Sequence, residues 1–161
     1  MASAFAFVAP ASSAADWTLR FDGIGPLKVG MTFDQANARL QRRLERTPED
    51  FRPNDHCDEV SVPGHPETAL MFIDDKLARV DVWHAGARLR GGVVIGGAER
   101  SLIPAYSKAS KSPGFYDASQ TEWTLPSADG RMAIRITTER DEIISAISGE
   151  AKAVAYVEGC L

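Results

Sequence analysis

The chain has 161 residues, 44% of them hydrophobic, and a formal charge of −4 at pH 7. That length and apolar content suffice for one packed domain or two small fused units. The mild acidity gives no support to nucleic-acid binding, for which a basic stripe is expected, and no apolar run is long enough to cross a bilayer as a helix.

Residues 1–15 stand apart from the rest. A short apolar run, Ala4 to Pro10, leads into small residues, and Ser13-Ala14-Ala15 before Asp16 fits a small-x-small cleavage point. A signal peptide over 1–15 is expected, trimmed at its start because no Lys or Arg precedes Arg20. The cleavage point carries no Cys, which argues against a lipid-anchored mature end.

Trp17, Leu19 and Phe21 alternate with polar neighbours and read as a half-buried strand. After Pro26 and Gly30, Thr32 and Gln35 form a Thr-x-x-Gln capping box. Phe33, Ala36, Leu40 and Leu44 then recur at helical spacing, so a helix is expected from Phe33 to about Arg46, stopped by Thr47-Pro48. Its last turns carry Arg39, Arg42, Arg43 and Arg46. Arg39 with Arg43 and Arg42 with Arg46 would be i,i+4 like-charge pairs, mildly unfavourable unless something acidic answers them. The spacing next predicts a strand over 58–62 and a hairpin of Ala69–Ile73 and Leu77–Trp83 turning at Asp74-Asp75-Lys76. Arg79 and Asp81 would share the face opposite Ala78, Val80 and Val82.

The pattern then restarts at an offset of 66 residues, Val29 falling on Ile95, Gly30 on Gly96, Ala36 on Leu102 and Leu40 on Tyr106. Ala98 stands in place of the capping Thr, and Pro104 limits the second helix to a short one ending near Lys108. A strand over 121–125, a hairpin of Arg131–Thr137 and Glu142–Ser148, and a last strand over 153–158 complete the expectation. The fold class so reached is α+β: two tandem helix-plus-antiparallel-sheet units, 16–86 and 87–161, packed as one globular domain.

Val29-Gly30-Met31-Thr32, followed by an amphipathic helix and a Cys-bearing strand, resembles the repeat of the β-lactamase-inhibitor-protein family. It is also similar to the small outer-membrane assembly lipoproteins of the SmpA/OmlA type. The resemblance implies a helical segment joined to an antiparallel sheet, duplicated in tandem, and a periplasmic or secreted binding or inhibitor module without catalysis. The closing Tyr156-Val157-Glu158-Gly159-Cys160 also looks like exported bacterial proteins of unknown function.

Cys57 and Cys160 are the only cysteines. In an exported protein an isolated pair is most simply one disulfide, and closing so long a loop contributes about 4 kcal/mol in the chain-entropy model. His56, His65 and His84 are the only histidines and show no metal-ligand spacing. No Gly-x-Ser-x-Gly or phosphate-loop pattern occurs, so no catalytic residue, cofactor or metal is assigned.

The candidate partner-binding residues are therefore Arg39, Arg42, Arg43 and Arg46, with the aromatic and histidine set Trp83, His84, Tyr106 and Tyr116. The expected partner is another periplasmic or secreted protein, such as an envelope enzyme that the chain inhibits or confers immunity to. A cell-envelope glycan or lipid is the other anionic partner considered. Two alternatives stay open: a ligand-binding protein or hydrolase with a cleft between the units, rimmed by His56, Asp58 or His84, and an accessory protein of envelope assembly.

Overall fold

In the computed structural model, residues 16–40 and 42–160 are described, the side chain of Pro66 excepted. The expected leader, 1–15, lies outside the described residues.

Strand follows strand through most of the chain. Three two- or three-residue strands open it, β1 (Thr18–Arg20), β2 (Gly23–Ile24) and β3 (Leu27–Lys28), before the helix α1 (Phe33–Arg39). The first long strands come next: β4 (Cys57–Val62), β5 (His65–Ile73) and β6 (Lys76–Val82). After β7 (Arg88–Leu89) and helix α2 (Leu102–Tyr106) come β8 (Ser110–Pro113), β9 (Thr121–Pro126), β10 (Met132–Glu139), β11 (Glu142–Glu150) and the helical turn α3 (Ala151–Val154). One sheet orders β3-β2-β1-β7, and the other, with seven strands, orders β4-β5-β6-β11-β10-β9-β8. Every pairing in the larger sheet is antiparallel.

This overturns the α+β expectation of two helix-plus-sheet units. The protein is mostly β, its helices are short, and the larger sheet runs without interruption through the β6–β11 seam, where Ala146 opposes Val82 and Gly149 opposes Arg79. What recurs at the 66-residue offset is a junction of backbone bonds. The N–H of Gly30 donates to Leu77 O at 2.7 Å, and that of Gly96 to Ile143 O at 2.8 Å. Leu77 donates back to Met31 O at 2.8 Å and Ile143 to Gly97 O at 2.9 Å. The hairpin turns match as well, with positive φ at Asp74 and Asp75 (49° and 63°) and at Arg140 and Asp141 (50° and 63°), the two-residue turn that fits strand twist.

Two elements depart from their sequence reading for identifiable reasons. The first helix keeps its capping box, with Thr32 and Gln35 each accepting the other's backbone N–H, but it stops at Arg39 instead of Arg46. Asn37 Oδ1 accepts the N–H of Leu44 at 2.6 Å and turns the chain back, so that Leu44 enters the core from a loop. The arginine pairs at i,i+4 therefore never form on a helix. The expected last strand over 153–158 is instead α3 and an irregular tail. Ala153 and Val154 are both buried, and two consecutive buried residues suit a helical turn rather than an alternating strand.

The main core fills the space between one face of the large sheet and the layer of α1, α2 and the small sheet. It gathers Leu19, Phe33, Leu44, Leu70, Phe72, Val80, Leu102, Tyr106, Trp123 and Ile134. On the opposite face a second cluster of Cys57, Met71, Ala78, Ala153 and Cys160 lies under the C-terminal segment. The Cys57–Cys160 disulfide, with Cα atoms 5.4 Å apart, pins that segment to β4. No helix among the described residues is long and apolar enough to cross a membrane.

Candidate binding face

The face of the large sheet that turns away from the main core is half covered and half open. Strand alternation and register decide what it displays. One row across the strands runs Glu59, Met71, Arg79, Gly149, Ala133 and Pro126. The segment 151–160 lies over this row. Gly149 sits here because a side chain would strike the carbonyl of Ala78 on the neighbouring strand, and its φ of 149° favours glycine.

The next row, Ser61, Ala69, Asp81, Ile147, Arg135, Thr124 and Ser110, forms the edge of the covered zone. Arg79 is 4% exposed and grips Asp81 with two bonds of 2.6 and 2.7 Å, while its Nη1 donates to the carbonyls of Tyr156 and Ala153. Arg135 Nη2 donates to the same Tyr156 carbonyl at 3.2 Å and lies 3.9 Å from Glu122. Burial pushes the Arg135 guanidinium below its ordinary pKa, and Glu122 acts against that shift. Two guanidiniums thus satisfy the tail's carbonyls and hold it at the sheet's midline.

Beyond them no described residue lies over the sheet. Ser145, Thr137, Glu122 and Ser112 stand in register, and Trp83, one residue past the end of β6, extends the alternation onto the same face with 46% of its surface exposed. Six hydroxyl residues, Ser61, Ser110, Ser112, Thr124, Thr137 and Ser145, share the open rows with this one tryptophan.

The sequence-derived candidates scatter. Trp83 is on the open face. His84 is half-buried at the same end of the sheet beside His65, which stacks on Trp17 at 3.7 Å. Burial, then the neighbouring His84 and Arg42, lower the pKa of His65 below the usual histidine value. Arg39, Arg42 and Arg43 are exposed at and after the end of α1, Arg42 lying beside Gly64 and His65. Arg46 is answered by acids: it pairs with Asp75, lies 3.6 Å from Asp58, and stacks 4.0 Å over Phe33. Tyr116 is exposed on the β8–β9 loop against Phe115. Tyr106 is withdrawn from any contact patch, because it is fully buried with its hydroxyl donating to Arg90 O at 3.1 Å, and burial pushes its pKa up to about 12.

His56, Asp58 and His84 do not converge. His56 bonds Asp74 at one end of β5, whereas His84 follows Val82, which opposes Thr68 near the other end, roughly 20 Å of strand away. Among the described residues no group of three or more His, Cys, Asp and Glu could hold a metal. The Arg79–Asp81 and Arg135–Glu122 pairs were not singled out from sequence. Strand alternation had placed Arg79 and Asp81 on one face, and a strand face pairing Arg with Asp was the available signal. No protein-family model, curated protein or solved structure matches this chain.

Proposed function

We propose that this chain is an exported, non-catalytic binding protein that docks another exported protein on the open half of its seven-stranded sheet, as an inhibitor or immunity-type partner would. The observation that carries the reading is the division of one sheet face. A disulfide-pinned tail closes one half, and the other presents Trp83 among rows of hydroxyls. Large aromatics on a polar surface anchor protein interfaces, and a rigid sheet binds with little ordering cost. The disulfide supports an oxidising compartment. The N-terminal cleavage-site reading points the same way.

The test is a binding measurement with a candidate envelope partner, comparing the native chain with Trp83→Ala. Loss of about 2 kcal/mol or more of affinity, with unchanged thermal stability, is expected of an anchor. Full affinity in the variant would move the contact elsewhere.

A further inference from the structure

Trp17, the residue before β1, anchors that strand against one end of the large sheet. Its indole stacks on the imidazole of His65, the first residue of β5, with ring centroids 3.7 Å apart and planes 11° apart. It also abuts Gly25, where a side chain would strike its six-membered ring, and it packs on the main core. The indole N–H is buried and donates to no described residue, so the ring is held by its faces. What it secures is structural: β1 lies between β2 and β7 in the small sheet, and its Leu19 is fully buried.

The surroundings of His65 are cationic. Arg42, in the loop after α1, lies against Gly64, where a Cβ would stand 2.9 Å from Nη1 and 3.5 Å from Nε. His84 comes from the strand alongside. Thr68 opposes Val82, and the N–H of Trp83 donates to Glu67 O at 3.0 Å, which brings the next residue, His84, toward His65. The charges acting on His65 are those of His84 and Arg42, and the acids on the same elements are engaged or exposed. Asp16 accepts from Thr18 Oγ1 at 2.6 Å, Asp22 pairs with Arg20 at 3.3 Å, and Glu67 is exposed.

We propose that the Trp17–His65 stack is an acid-released latch: uncharged His65 holds the start of β1 against the large sheet, and protonated His65 lets it go. An indole face attracts an imidazolium, so the stack alone would favour the proton. Burial opposes it first, then His84 and Arg42, and together they lower the His65 pKa. A histidine pKa lowered by folding means that the latched state resists the proton more than the released chain does. The stability it contributes is therefore complete above the unfolded pKa near 6.5 and is lost as pH falls through the lower folded value. The latch acts within the chain and needs no partner, so it stands or falls apart from docking beside Trp83.

The test uses the full-length, oxidised protein and two NMR readouts. One is the His65 Cε1–H shift against pH; the other is amide exchange in β1, corrected for intrinsic rates and divided by that in β10. Between about pH 7.5 and about pH 5, exchange in β1 should rise at least about threefold relative to β10, and His65 should titrate below a free histidine. His65→Phe keeps a ring against Trp17 that cannot take a proton, so its β1 exchange ratio should stay level with pH. Arg42→Gln, at an exposed position, leaves the stack in place and removes a facing cation. It should raise the His65 midpoint and shrink the acid rise in β1 exchange. A ratio that stays level in the native chain, or rises as much in His65→Phe, overturns the proposal. So does a His65 midpoint that Arg42→Gln leaves unmoved.

Discussion

Glu59 shows how one side chain ties the tail to pH. Its carboxylate accepts the backbone N–H of Cys160, yet burial first and Asp81 second raise its pKa above the ordinary glutamate value, against the lowering effect of Arg79. A raised carboxyl pKa means that the folded state holds a proton the unfolded state has lost. Stability from this group is therefore full below the unfolded pKa near 4.5 and is lost as pH rises through the higher folded value. Glu59→Gln keeps an acceptor without the charge. The variant should show a smaller drop in melting temperature between acid and neutral pH than the native chain, read by calorimetry across that range; an unchanged drop would clear Glu59 of the effect. Tyr106 is the other informative residue. Tyr106→Phe keeps the ring in the core and removes only the bond to Arg90 O, so urea unfolding should report a loss of about 1 kcal/mol.

At the scale of elements, the junction repeated at 66 residues was legible because its signals are local. Gly30 and Gly96 precede the capped or 3₁₀ turns, and both hairpin turns sit between alternating apolar runs. The structure gives these glycines φ of 90° and 86°, where a side chain is strained whatever the space around it. Gly30→Ala and Gly96→Ala should therefore each cost about 1–2 kcal/mol in chemical denaturation, and a neutral result at either position would break the equivalence. The length of the first helix was not legible. Leu40 and Leu44 fall at helical spacing, but Leu44 is buried by a turn that the Asn37 side chain fastens, and periodicity cannot tell a loop leucine in the core from a helical one. Alternation at Trp17, Leu19 and Phe21 registered β1, but β2, β3 and β7 are two residues long, too short for it to register. The tail misled for the opposite reason: Ala153 to Val157 is a short, continuous apolar run, which periodicity cannot assign to strand or helix, and the buried pair is Ala153 and Val154.

At the scale of the molecule, the disulfide was legible from cysteine count, and the sheet's continuity was not. Nothing local announces that β6 and β11, 60 or more residues apart, will pair and merge two hairpins into one surface. The candidate face is a product of that merger, which is why the residues chosen from sequence scatter while Trp83 alone lands on it. The same architecture makes the tail a structural member. Reducing Cys57–Cys160 should cost about 4 kcal/mol of stability by chain entropy. Hydrogen exchange should then rise at 151–160 before it rises in β10 and β11; uniform loss of protection would show that the tail is not a separate strap.

Under the proposed function, a partner docks on the open half of the large sheet. Placing a photo-crosslinking side chain at Thr137 or Ser145, and in a control at Ala38 on α1, tests this in the producing cell. Adducts of one defined size at Thr137 and Ser145, absent at Ala38 and lost when Trp83→Ala is added, are the predicted result. Adducts that persist without Trp83, or that form at Ala38 and not on the sheet, would contradict it.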